Sequence, residues 1–162
     1  MHIGEGFAGD GVNAAHLNTV LGAKDGPVGT AWATALATPR QGHTPFVVVA
    51  APNLPVKPMT LLVNKATIAS DQHARLTWGA AQAGVASGVL DALRKGVIPD
   101  VDAERLVLIA AVWVNPDAHD EEQVYENNRS ACFNALAAGR DDLPSLRTVL
   151  DAGEPENPYF RT

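Results

Sequence analysis

Apolar and polar residues alternate with period two over residues 14–21, AAHLNTVL. That alternation places Ala14, His16, Asn18 and Val20 on one side of a strand and Ala15, Leu17, Thr19 and Leu21 on the other. A turn at KDG leads into PVGTAWATALATP, where Pro27 suits a first helical turn and Val28, Trp32 and Ala35 recur at helical spacing until Pro39. A helix of about three turns is predicted there. Residues 44–50, TPFVVVA, are apolar and β-branched without alternation, the pattern of a strand buried on both faces, with Val47 inside it. Alternation returns in LLVNKATI, 61–68, with Leu61, Val63, Lys65 and Thr67 on one side and Leu62, Asn64, Ala66 and Ile68 on the other.

Ser70 or Asp71 can cap a helical region running from about 71 to 95, which Arg94, Lys95 and Gly96 close ahead of Pro99. Trp78, Gln82, Val85 and Val89 fall on one stripe of it, so Gln82 sets a polar amide in an apolar seam. Gly79, Gly84 and Gly88 predict a break near Gly79 and close backbone packing along the remainder. RLVLIAAVWV, 105–114, reads as another interior strand. Asp120 with Gln123 gives a capping-box-like start to a helix ending near Gly139, with Val124, Ala131 and Ala135 facing inward. A short helical piece near 143–151 and an extended GEPENPYFRT complete the chain. Strands and helices mix without regular βα alternation, and no Gly-rich phosphate loop follows a strand, so the expected class is α+β, a two-layer α/β sandwich. The 162 residues contain no linker-like stretch, which predicts a single domain over 1–162.

A formal charge of −6 leaves no broad basic face for a phosphate backbone, so nucleic acid and anionic membrane are poor partners and a small molecule is the better one. Cys132 is the sole cysteine, which excludes an intrachain disulfide and a cysteine-based zinc site; five histidines without HExxH or another compact cluster argue against a metal centre. MHIGEGFAGDG lacks the basic and apolar regions of a signal peptide, and no apolar run approaches the ~20 residues that span a bilayer. A cytoplasmic location is expected. Hydrophobic content of 46% against 19% charged residues suggests a surface partly covered by copies of itself.

Among the histidines, His2 and His119 read as terminal or surface residues, His43 as a loop residue and His73 as a first-turn helix residue. His16 differs, lying mid-strand among small and apolar neighbours. The pattern alone admits a hydrogen-bonded structural histidine or a proton-transfer group. Lys65 reads as an edge or snorkelling residue, or as the partner of an anion. Thr67 is an ordinary strand former, Gln82 an amide able to bond a backbone carbonyl, and Asn18 a structural polar residue, unless each faces a ligand. Pro52, Pro55 and Pro58 make APNLPVKP either a rigid loop or a frame that aims Lys65 and Thr67 into a cleft.

APNLPVKPMTLLVNKATI resembles the signature of the tetrahydromethanopterin-dependent formaldehyde-activating enzyme family, which reads APNLP-C-KP-N-T followed by a strand containing NK-x-TI. GDGVNAAHLNTVLG resembles that family's histidine segment, AAQAGVASGVLDALRKGVIP its PAQ-H-GVA helix ending in G-x-IP, and ENPYFRT its carboxyl end. The resemblance implies a ribosomal protein S5 domain 2-like fold, a homopentamer, and metal-free condensation of formaldehyde with tetrahydromethanopterin, or its dephospho form, to the methylene derivative and water. By position it implies that His16 is the proton donor and that Asn18, Val47, Lys65, Thr67 and Gln82 occupy pterin-binding positions. Val47 stands where leucine is usual, Val56 where the family has cysteine, and Asn18 where it has aspartate. An aspartate there would favour the imidazolium of His16, whereas asparagine hydrogen-bonds without charge. A noncatalytic pterin or formaldehyde-adduct binder, acting as carrier or sensor, is the alternative function, and an oligomer with a vestigial cleft a third.

Overall fold

The computed structural model describes residues 1–157. Its strands are His2–Ala8 (β1), Ala15–Ala23 (β2), Phe46–Val47 (β3), Val49–Ala51 (β4), Leu54–Pro55 (β5), Met59–Asn64 (β6) and Leu106–Trp113 (β7). Its α-helices are Pro27–Ala37 (α1), Asp71–Arg75 (α2), Gln82–Arg94 (α3), Glu121–Arg140 (α4) and Leu146–Asp151 (α5). The main sheet runs β1-β2-β7-β6-β3; the β6–β7 pair is parallel and its other pairs are antiparallel. This is an α+β fold, as the irregular element order predicted. No helix among the described residues is long and apolar enough to cross a membrane.

Register and strand alternation fix the two faces of the sheet. On one, Ala15, Leu17, Leu62, Leu108, Ala110 and Val112 are buried and join a core with Val85 and Val89 of α3 and Ala131 and Ala135 of α4. The other face carries His16, Asn18 and Val20 of β2 beside Trp113, Ala111 and Ile109 of β7, and is covered at one end by α1, where Val28 packs directly on Gly22. Polar caps tie the helices down. Ser70 accepts from the His73 N–H at the start of α2, and Asp120 accepts from Gln123 at the start of α4. His73, buried in the first turn of its helix, accepts the Ala69 N–H on Nδ1 and donates from Nε2 to the Val114 carbonyl, so it serves the fold. Asp91 of α3 binds Arg129 of α4 at 2.7 Å, and that guanidinium holds the Asp91 carboxyl below its ordinary range against the opposing effect of burial.

Several expectations need correction. The segment His2–Ala8 is a strand that its glycines conceal: a Cβ at Gly4 or Gly6 would fall 1.8 or 2.1 Å from the carbonyl oxygens of Ala135 and Ala131, so glycine is what lets α4 lie against β1. TPFVVVA is not one strand buried on both faces. Phe46 and Val47 form an edge strand on β6, after which the chain crosses at buried Val48 into a separate β4–β5 ribbon. The proline-rich stretch therefore builds a small hairpin rather than a loop, turning at Asn53, whose φ of 63° is a conformation asparagine tolerates. That hairpin is clipped down by the Val56 N–H to the Val48 carbonyl at 3.1 Å.

The strand predicted through Ile68 ends at Asn64, although the Lys65 N–H still donates to the Val112 carbonyl at 2.7 Å. In the 71–95 region the predicted break is a π-helical stretch, Leu76–Ala81, between α2 and α3. It shifts the helical phase, so Trp78 is 41% exposed while Gln82, Val85 and Val89 remain on the buried stripe. The predicted close packing holds at Gly84 and Gly88, against the Tyr125 and Arg129 carbonyls, but Gly79 faces open space. Of the predicted extended tail, residues 158–162 lie outside the described residues.

Candidate active site

On the open face, His16 stands between Phe7 of β1 and Trp113 of β7, its partners in register. The Phe7 ring is tilted 51° to the imidazole with centroids 6.4 Å apart. Residues two apart on a strand share a face at roughly 7 Å, so Asn18 is the next side chain along from His16. Lys65 reaches it from the end of β6: its ammonium donates to Asn18 Oδ1 at 2.6 Å. Burial lowers the lysine's proton affinity below its ordinary value, and the negative charge of Glu5 opposes that shift. His16, Asn18 and Lys65 thus form one group, in which an ammonium is held by a neutral carboxamide.

The remaining candidates are spread more widely. Val47 sits on β3 opposite Leu61, on the same face as His16 but across β6 and β7 and in line with Val20, four residues along β2, a separation of roughly 20 Å at ordinary strand spacing and rise. Thr67 is exposed in the segment past the end of β6, its methyl packed against Gly42, so Lys65 and Thr67 are not alternate positions of one strand. The turn between them is pinned by Asn64, whose amide donates to the carbonyls of Gly42 and Ala66, both at 2.7 Å. His43 closes the same knot through Nδ1 to the Asn64 carbonyl at 2.9 Å. Gln82 belongs to the helical layer on the opposite face. There its side-chain oxygen accepts the Val49 N–H at 2.7 Å, a backbone bond to a donor instead of the carbonyl anticipated from sequence.

Glu5 is a member of the site that sequence reasoning missed. It faces Asn18 across the β1–β2 pair, and its Oε1 lies 3.1 Å from His16 Nε2. The signal was present in the alternation of Ile3, Glu5 and Phe7 with Gly4 and Gly6, but glycine is depleted from strands and masked it. Beside the group, α1 and the 40–45 segment enclose an open groove of about 740 Å³ lined by Thr30, Thr34, Arg40, His43 and Val63 among others. None of His16, Asn18 and Lys65 lines it, yet Val63 of β6 precedes Lys65 by two residues, so the two features adjoin. An imidazole against a carboxylate, an ammonium on a carboxamide, aromatic flanks and a neighbouring groove together suit proton transfer to a bound small molecule.

Residues 3–160 match the family model described as formaldehyde-activating enzyme (Fae). The chain is 39% identical over 158 residues to the 5,6,7,8-tetrahydromethanopterin hydro-lyase of Methanosarcina barkeri, covering 98% of this chain and 89% of that protein. It is also 43% identical over 150 residues to the bifunctional enzyme Fae/Hps of Methanococcoides burtonii, and 39% identical over 148 residues to that of Archaeoglobus fulgidus. Those matches span 93% and 91% of this chain but 38% of each longer relative. With the family's pattern running through almost every element that builds the histidine-bearing face and the helices behind it, the chain belongs to the formaldehyde-activating enzyme family.

Proposed function

We propose that this protein condenses formaldehyde with tetrahydromethanopterin to give methylene-tetrahydromethanopterin and water, with His16 as the general acid. The observation that carries the reading is the grouping of His16, Asn18 and Lys65 on one open sheet face of a chain that belongs to this family. In the proposed sequence, N5 of the reduced pterin attacks formaldehyde to form a carbinolamine, the imidazolium protonates the hydroxyl, water leaves, and N10 closes on the iminium carbon. Loss of water is the step that needs an acid. A positioned general acid supplies ~10²–10⁴-fold, enough for a condensation that already proceeds unaided.

Lys65, held by Asn18, would hydrogen-bond the pterin, with Thr67 on the adjoining turn and Val47 as an apolar wall, while the groove along α1 offers room for the rest of the co-substrate. The dephospho form would fit the same roles. Gln82 keeps an amide nitrogen without a hydrogen bond among the described residues. We propose that assembly into a homo-oligomer, the pentamer the resemblance implies, brings this group to a neighbouring copy's open face.

The test is a stopped-flow measurement of the condensation with the uncatalysed rate subtracted. Acceleration is expected, and His16→Ala should lower it by about 10²-fold or more while leaving pterin affinity nearly intact. Saturable pterin binding with no acceleration would instead identify a carrier or sensor. A rate unchanged in His16→Ala would remove the imidazole from the chemistry.

A further inference from the structure

We propose that Glu5 is a positioning residue for the acid step, holding Nε2 of His16 so that Nδ1 is the nitrogen that delivers and recovers the proton. The inference rests on the acid role proposed for His16. It begins from the β1–β2 register: Glu5 lies opposite Asn18 and diagonal to His16, and a glutamate side chain spans such a diagonal, here closing to 3.1 Å. Asn18, by contrast, gives its side-chain oxygen to the Lys65 ammonium. Two oxygen acceptors and two nitrogen donors are thereby paired in a fixed order, the carboxamide with the ammonium and the carboxylate with the imidazole. A neutral residue at 18 does not leave the histidine without a carboxylate, because the neighbouring strand contributes one.

The proton path follows from this pairing. His16 Nε2 lies 3.1 Å from Glu5 Oε1, a charge contact from which Nε2–H can be given to the carboxylate, and Nδ1 has no hydrogen bond among the described residues. In the imidazolium, Nδ1–H passes its proton to the carbinolamine hydroxyl. The C–O bond breaks, the N5 lone pair closes the C=N bond of the iminium, and water departs. The neutral ring keeps Nε2–H on Glu5, which leaves the Nδ1 lone pair free to take the proton released when N10 bonds to the methylene carbon. The imidazolium is restored and Glu5 stays ionised throughout. A carboxylate that fixes the tautomer of an acid–base histidine without itself taking the proton follows the logic of the serine-protease triad.

The Glu5 and His16 side chains are 61% and 42% exposed, and an exposed ion pair contributes little to folding, so the pair can be broken without unfolding the chain. The experiment compares the wild type, Glu5→Gln, the double variant Glu5→Gln/Asn18→Asp, and His16→Ala in the stopped-flow condensation assay, with thermal melting to verify folding. Glu5→Gln is expected to melt like the wild type, bind pterin with a similar KM and lose about 10- to 100-fold in kcat, part of the ~10²–10⁴ a general acid supplies. The double variant, with a carboxylate restored two residues from His16, should recover at least part of that loss; a merely structural role for Glu5 predicts no such recovery. A wild-type kcat in Glu5→Gln, or a double variant as slow as the single one, would overturn the proposal. If His16→Ala is slow while Glu5→Gln is not, Glu5 alone loses its role; if His16→Ala is also unimpaired, the acid assignment fails with it.

Discussion

At the scale of single residues, Lys65 sets stability against binding. Burial lowers the proton affinity of its amine from the ordinary value of 10.5, so below the lowered value the folded chain carries an ammonium that is better solvated when unfolded. Between the lowered value and 10.5 the unfolded chain holds a proton that the folded one does not, and stability rises with pH across that window. Replacing Lys65 by methionine removes the cost and frees Asn18, which is partly exposed and can turn to water. The variant is therefore expected to be more stable than the wild type toward urea at pH 7, with the gap narrowing at pH 10, and to lose pterin binding. A Lys65→Met chain that unfolds more easily at pH 7 would contradict this reading. Cys132 shows burial acting on an acid: with its thiol pushed up to about 12 and its sulfur against the Val85 carbonyl, it is a core side chain with no part in the chemistry.

At the scale of elements, the decisive contact is α4 on β1, because it turns the edge of the sheet into a platform from which Glu5 reaches His16. That contact depends on Gly4 and Gly6, where the α4 backbone occupies the space of a side chain. Gly6→Ala is expected to destabilise the fold by about 3 kcal/mol, at the upper end of ordinary overpacking because backbone must move, and to slow condensation by displacing Glu5. Urea unfolding and the stopped-flow rate check the two effects. This element was illegible in sequence because a strand whose central inner positions are glycine, Gly4 and Gly6, has almost no apolar stripe to display. The helix after Asp120 was legible almost to the residue, since the cap and the inward spacing of Val124, Ala131 and Ala135 agree. Between these extremes lies the helical region after Ser70, where the glycine at 79 marked an irregularity but only the fold shows a π-helical stretch that turns Trp78 outward.

At the scale of the whole molecule, Ile3 at 59%, Phe7 at 39% and Trp78 at 41% exposure join an incompletely covered sheet face as surface that a homo-oligomer would bury. Light scattering is expected to give a particle five times the 17.0 kDa chain mass, and a particle of one chain mass would leave Gln82 with no route to the site.

By itself, the sequence determined the α+β class, the shared face of His16 and Asn18, and the family, because these follow from local period, caps and an ordered motif. It also located Gln82 on a buried stripe of its helix. Only the tertiary structure decided which sheet face that helix covers, where β6 stops, that Asn18 accepts from Lys65, and that Glu5 lies beside His16. Those are pairings between distant parts of the chain, set by strand register and by how closely α4 approaches β1, and neither quantity is written in any short window of residues.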